Sequence, residues 1–455
     1  MFGFLPILPP DGNPTIDKPT NIHLTYQNDP AYNITVMWQT DTSTTGDIVL
    51  YDTVPRGGNS SLYRYFANGS HRTYTGLSGY IHEVELTNLN ANTTYYFICG
   101  GPGNYSAERS FKTAPSSTSD FRFVAGGDSR SDPAMRVLVS QAMSHTNPSF
   151  VMHCGDLVSD GRIQSLWDTW FTDVNDNWIG DNGLTIPVIP SLGNHEQNAT
   201  NYYEQFALPG NEQWYYIDWG PTLRIIVLNS ESQISEQAVW LENVLNSTSQ
   251  DAWKIVMFHR NVYFSGWHDN NTDIQQYWVP LFDEYHVDIV IQGHTHHYHR
   301  TLPMYNNTVV SLYQDGTMYL TSGAWGAPLH PYENQSYSAY GNSTYHFTLI
   351  SVFQNDTLLL EAKDINGYTF DQVWLDKNVQ SLNFVNGINL KTDDGNEEQT
   401  LPLTNDYLMF TLKTLLEPFV SLKFAGQTNY DFHTIFEAYF SLMAMQKIFL
   451  KIGDK

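Results

Sequence analysis

Five short motifs in this chain place an oxygen or imidazole donor just after a run of apolar residues. They read Gly127-Asp128-Ser129-Arg130, Gly155-Asp156-Leu157-Val158-Ser159, Gly193-Asn194-His195-Glu196, Val256-Met257-Phe258-His259 and Gly293-His294-Thr295-His296. A glycine beside a donor allows the tight turn that aims the next side chain. Asp128, Asp156, Asn194, His259, His294 and His296 together offer the mixed oxygen and nitrogen set that suits a pair of divalent metals. Two cations roughly 3.5–4 Å apart can clamp both oxygens of an in-line displacement at phosphorus. A shared carboxylate is needed to hold them that close. His195 adjoins the donor Asn194, so it can face a substrate oxygen as a proton donor. A Gly-Asp pair alone is common at turns, and His-Thr-His alone suits a surface loop. Five such motifs in order, each after an apolar run, point to one metal site.

Donors of this kind collect at the carboxyl ends of strands in layered α/β domains. The chain from residue 121 supplies that rhythm. Strands are predicted at 121–126, 149–154, 186–190, 223–228, 253–258 and 287–292, with helices over 132–146, 163–178, 235–247 and 273–286. Strand-type runs return at 317–322, 345–353 and 357–362, which closes an α/β domain at 121–376. Ahead of it, residues 18–114 alternate short strand-like runs with turn signals and predict an all-β sandwich with Trp38 in its core. Residues 1–17 form an N-terminal extension and 115–120 a linker. Residues 377–455 carry no motif and stand as an unassigned C-terminal extension, in which 406–424 and 431–450 fit amphipathic helices.

Composition narrows the partners. With 455 residues, 41% hydrophobic and 14% aromatic, the chain is long and apolar enough for a packed core. Acids outnumber bases 47 to 22, a formal charge of −25, so the basic footprint of a nucleic-acid binder is missing. The same charge opposes an anionic membrane surface. No stretch of 18 uncharged apolar residues marks a membrane span. The first ten residues lack a basic n-region and do not make a convincing signal peptide. Cys99 and Cys154 make neither a disulfide framework nor a thiolate site, and Cys154 reads as a buried small hydrophobe. Twelve Asn-x-Ser/Thr sequons, at Asn33, Asn59, Asn68, Asn92, Asn104, Asn198, Asn246, Asn270, Asn306, Asn334, Asn342 and Asn355, favour a secreted or cell-surface protein with N-linked glycans. A chain with few bases also avoids heavy self-repulsion once its acids are protonated, which suits an acidic exterior.

The five motifs, in this order, resemble the calcineurin-like metallophosphoesterase family. The all-β domain in front, the Asn-His-Glu form and the Val-x-x-His form make residues 18–376 similar to its purple acid phosphatase branch. The resemblance implies a fibronectin III-like sandwich, a βαβ-sandwich catalytic domain and a dinuclear centre that hydrolyses phosphate esters with a metal-bound hydroxide. It implies that Asp156 bridges both metals, that Asp128 and His296 bind metal one, and that Asn194, His259 and His294 bind metal two. His195 would bind substrate and donate a proton. His268, nine residues after His259, would be a second substrate-facing histidine, although its neighbour Asp269 departs from the pattern. Two further departures stand out. Ser159 replaces the metal-binding tyrosine of the purple branch, and Arg130 occupies the place of a histidine in the broader family. Without a tyrosinate the protein would not be purple, and of two divalent or trivalent ions (Fe, Zn or Mn) a homodivalent pair of Mn, Zn, Fe(II) or Co becomes the expectation. Arg130 would either hold a substrate phosphate or pair with Asp132 or another surface acid, and water or a carboxylate such as Asp160 would fill the place of the missing ligand. Of His297 and His299, one would support the ligands and one the fold. The small-molecule ester stays open among monoesters, diesters and nucleotides. A structural or adhesive surface glycoprotein with a degenerate metal site is the alternative of another class.

Overall fold

The structure, a computed structural model, describes residues 18–41, 46–311, 313–378, 388–390 and 399–401. The chain separates into two compact units, Met1–Ser381 and Leu382–Lys455. In the second unit, Ile388–Leu390 pairs antiparallel with Gln399–Leu401. The N-terminal extension and the two amphipathic stretches of the tail lie outside the described residues.

The first unit opens with eight strands: β1 (Thr20–Thr25), β2 (Ile34–Thr40), β3 (Ile48–Asp52), β4 (Tyr65–Asn68), β5 (Ser70–Arg72), β6 (Tyr80–Leu86), β7 (Thr94–Gly100) and β8 (Arg109–Lys112). They pair into two four-stranded sheets, ordered β1-β2-β6-β5 and β4-β3-β7-β8. Side chains alternate across a strand, so one face of each sheet can be apolar. Val36, Trp38 and Val84 from one sheet and Val49, Phe97 and Phe111 from the other share one buried cluster, with Trp38 1% exposed. The sandwich predicted around Trp38 is therefore present. Its β4, β5 and β8 had no clear sequence signal, because each spans only three or four residues.

The α/β part follows with β9 (Phe121–Gly126), α1 (Pro133–Ser144), β10 (Val151–His153), α2 (Gln164–Asn175), β11 (Val188–Pro190), α3 (Thr200–Gln205), β12 (Tyr215–Trp219), β13 (Leu223–Val227), α4 (Ile234–Asn246), β14 (Trp253–Met257), α5 (Thr272–Tyr277), α6 (Val279–Glu284) and β15 (Ile289–Gln292). It closes with β16 (Tyr298–Thr301), β17 (Met304–Tyr305), β18 (Thr308–Val309), β19 (Met318–Ser322), β20 (Ser338–Asn342), β21 (His346–Val352), β22 (Thr357–Asp364) and β23 (Thr369–Asp376). One sheet runs β11-β10-β9-β21-β22-β23 and a second runs β12-β13-β14-β15-β19-β16-β20. The strands that lead into the five motifs run parallel to one another within each sheet: β9, β10 and β11 in the first, β14 and β15 in the second. Every residue of β14 and β15 is buried, as expected for parallel strands covered on both faces. Their Val and Ile content is the same fact read from the sequence.

The expected helix over 273–286 is corrected to two short helices, α5 and α6, meeting at Trp278. Pro280 lies in the first turn of α6. It brings no N–H to a continuous helix, and its ring crowds the preceding turn. The helix predicted over 132–146 forms as α1, capped by Asp132. That carboxylate accepts from the backbone N–H of Ala134 (3.0 Å) and Met135 (3.2 Å), with Pro133 at the first position. Cys99 and Cys154 are both buried free thiols.

Candidate metal centre

All five motif loops leave the carboxyl ends of parallel strands, and two sheets aim them at one place. Three of the donor residues adopt left-handed backbone, Asp128 at φ 59°, Asp156 at φ 57° and His294 at φ 66°. Such conformations strain non-glycine residues and gather where a site dictates geometry. Glycines make room for them. A Cβ on Gly293 would stand 2.6 Å from Asp128 Oδ2 and 2.9 Å from the Cys154 carbonyl oxygen.

The six predicted donors converge. Asp128, Asp156 and His259 bring one ligand atom each within 4.8 Å of one another, all three buried. His259 Nε2 stands 3.4 Å from Asp156 Oδ1, 3.1 Å from Asn194 Oδ1 and 3.2 Å from His294 Nδ1. His296 Nε2 stands 3.4 Å from Asp128 Oδ1. Ligands bound to one cation at roughly 2.0–2.2 Å stand about 3.0–3.5 Å apart, so these spacings match the edges of a coordination polyhedron. Asp128 Oδ1 is also fully buried without a hydrogen-bond partner, while Oδ2 accepts from the His294 backbone N–H at 2.7 Å. A buried carboxylate oxygen left unpaired is unfavourable unless a cation faces it. The residues present therefore fit a metal pair. His259 and His296 are oriented by their far nitrogens: each Nδ1–H donates to a backbone carbonyl, of Cys154 (2.8 Å) and Pro328 (2.7 Å), which turns Nε2 towards the other donors.

Asp156 lies at the middle. Its Oδ1 accepts from the His195 backbone N–H (2.9 Å) and its Oδ2 from Arg130 Nε (3.2 Å). Burial alone would raise its carboxyl. The charge and hydrogen bond of His259, with His195, overcome that and hold it well below the usual carboxylate range. Glu196, given no role by the sequence, fixes this loop. It is fully buried and accepts from the backbone N–H groups of Asp156 (2.8 Å), Leu157 (2.8 Å) and Gly193 (2.7 Å). Burial, and then the Asp156 charge, push its carboxyl up to about 8. The signal was the Glu that follows Asn-His.

His195 donates Nδ1–H to the Ser159 carbonyl (2.7 Å) and turns Nε2 to within 3.8 Å of Asp156 Oδ2. Ser159 thus contributes its backbone here. Arg130 reaches between two of the donors: besides Asp156, its Nη2 stands 3.2 Å from His296 Nε2. The pairing with Asp132 is corrected, since Asp132 caps α1. Asp160 is corrected as well. It accepts from Arg162 Nε (2.9 Å) and Nη2 (2.7 Å) and is not among the converging donors. His268 is half-buried and stacks on the His294 ring at 3.8 Å. His297 bonds Ser265 and Pro331, and His299 bonds Ser338. His330, absent from any motif, accepts the His296 backbone N–H at Nδ1 (3.1 Å) and stacks on that ring at 3.8 Å. Its outer neighbour is the exposed Trp267, whose ring centroid lies 4.5 Å away. No sequence pattern could have found it, for it comes from a loop without a motif.

Comparison with known proteins agrees with this architecture. Residues 19–113 match the family described as purple acid phosphatase, N-terminal domain, and residues 121–298 match calcineurin-like phosphoesterase. An uncharacterized Mycobacterium tuberculosis protein is 26% identical over 336 residues, 62% of this chain and 62% of the relative, so the match spans under two thirds of that relative's length. Mouse acid phosphatase type 7 is 26% identical over 422 residues, 78% of this chain and 90% of the mouse protein. The purple acid phosphatase structure from yellow lupin (Lupinus luteus) seeds superposes with a TM-score of 0.69 at 22% identity, over 79% of this chain and 74% of that one, which supports the fold. With its sandwich and its phosphoesterase domain both matched, the chain belongs to the calcineurin-like phosphoesterase family, in its purple acid phosphatase-like branch.

Proposed function

We propose that this protein is a secreted or cell-surface phosphoric ester hydrolase, acid phosphatase-like, that acts on small-molecule phosphate esters at a dinuclear metal centre. The observation that carries the proposal is the meeting of Asp128, Asp156, Asn194, His259, His294 and His296 in one cluster linked at polyhedron spacings. Asp156 would be shared, Asp128 and His296 would complete one ion, and Asn194, His259 and His294 the other. Two such cations, Fe, Zn or Mn, supply an activated water and neutralise phosphate oxygens. The chain's own groups do the rest. His195 points Nε2 towards the centre and would hand its proton to the leaving oxygen. Arg130 carries a planar fork that fits a phosphate bidentately once cations take over the neutralisation of Asp156. His268, stacked on His294, offers a further donor to substrate. With Ser159 in place of tyrosine, the loaded protein would not be purple.

A diester substrate is a second reading, favoured by two clefts that flank the donors. One, of about 290 Å³, opens beside His294 and His268; another, of about 360 Å³, opens beside Asn194. Together they have room for both arms of a diester. Glycosylation and an external location are supported by the sequons, since none of the twelve asparagines is buried. The test is elemental analysis of the purified protein beside a panel of monoesters and diesters, repeated on Asp156→Ala. Two metal equivalents and turnover, both lost in the variant, are expected. Full activity in Asp156→Ala would overturn the proposal, and a protein without metal or turnover would leave the adhesive-glycoprotein reading.

A further inference from the structure

A second cluster of metal-ligating side chains lies in the sandwich and has no part in the catalytic reading. His71 on β5 and His82 on β6 are direct cross-strand partners, so their imidazoles emerge side by side on one face. Asp47, just before β3, meets both. Its Oδ1 lies 2.9 Å from His71 Nδ1 and 2.6 Å from His82 Nδ1, and its Oδ2 lies 3.0 Å from His71 Nδ1. His82 is fixed from behind. Its ring lies flat on Trp38 at 4.9 Å and 2°, and its Nε2 meets Thr40 Oγ1 at 2.7 Å. The interior side is closed, with His82 fully buried. The outer side is open, the side chains of His71 and Asp47 being 34% and 20% exposed. All three residues lie on or beside strands, which hold ligands more firmly than loops do.

We propose that Asp47, His71 and His82 form a third metal site, suited to Zn(II) and separate from the catalytic pair. Two imidazoles and one carboxylate are a zinc donor set, with water completing the open side. Binding replaces two N–H···O contacts by metal bonds. Each neutral imidazole presents its Nδ1 lone pair and carries its single proton at Nε2, where for His82 the Thr40 hydroxyl accepts it. Hydrogen-bonded donors spread by a few tenths of an ångström to reach ligand spacing: the part-exposed Asp47 can draw back from the fixed His82, and the exposed His71 on its edge strand can follow.

Zinc counted by elemental analysis after equilibration and removal of loose metal provides the test on the whole chain. His71→Ala changes an exposed edge-strand residue, so the fold should persist by circular dichroism. It should lose one zinc equivalent relative to the unchanged protein while keeping its phosphatase activity. Asp156→Ala should show the reverse, losing activity and catalytic metal but retaining the equivalent that His71→Ala removes. Equal zinc in the unchanged protein and in His71→Ala would overturn the site. So would an Asp156→Ala protein whose residual zinc is unaffected by adding His71→Ala. Neither result touches the catalytic reading.

Discussion

At His195 the Nδ1 proton is committed to the Ser159 carbonyl, so only Nε2 can act on a substrate. That separates it from the donors beside it. His195→Ala should lower kcat by about 10²- to 10⁴-fold with metal content unchanged, whereas Asp156→Asn should lose metal and activity together. Paired kinetics and elemental analysis check this, and parallel metal loss in His195→Ala would make it a ligand instead. The donors were legible because each sits at a fixed offset from an apolar run. Glu196 was visible as a letter but not as a function, since its N–H partners lie on two loops, one about 40 residues away. His330 left no trace, because its place depends on how a distant loop folds over His296.

Among the elements, the loops after β9 and β15 are packed to backbone contact. Gly293→Ala would drive a methyl against Asp128 Oδ2 and the Cys154 carbonyl. Both are held by neighbours and cannot yield cheaply, so the motif must shift. Metal occupancy and activity should fall to under a tenth, while circular dichroism stays native. A variant that loads metal fully would show more play in the loop than these contacts allow. The cap of α1 offers a contrasting change. Asp132→Ala removes an acceptor from two backbone N–H groups and should destabilise by about 1 kcal/mol in denaturant unfolding. Turnover should be unaffected if Arg130 has no need of Asp132. Helices α1, α2 and α4 were readable from apolar period, and only α1 carries a side-chain cap among the three. The division of α5 from α6 turned on Pro280, and short strands such as β4 and β5, exposed or half-buried along their length, owe their form to the partners they pair with.

For the whole molecule, the acid side is decided by buried histidines that are not themselves among the metal donors. Burial lowers His153 and His299 to about 3, His346 to about 4, and also lowers His23. A base depressed in the fold is neutral there and protonated when unfolded. Its contribution is complete above the unfolded value near 6.5 and is lost as pH falls towards the folded value. Each such group withdraws about 1.4 kcal/mol per pH unit across that window. The melting temperature should therefore fall as pH drops from 7 to 4, and His346→Asn should flatten the slope in calorimetry. A midpoint that rises steadily through that range would refute the assignment. The protonated acids that ease self-repulsion at low pH work against this loss, so composition alone overstates acid tolerance.

From the chain by itself came the chemistry and the layering. Donor types, their offsets from apolar runs and the switch from alternating to helical period are local properties, and local order is written in neighbouring residues. Convergence is not local. That His259 stands between Asp156, Asn194 and His294, that Arg130 faces Asp156 rather than Asp132, and that His71 and His82 meet over Asp47 follow from which strands pair and which loops cross. Those choices are made by burial summed over two sheets, and no single stretch of sequence contains them.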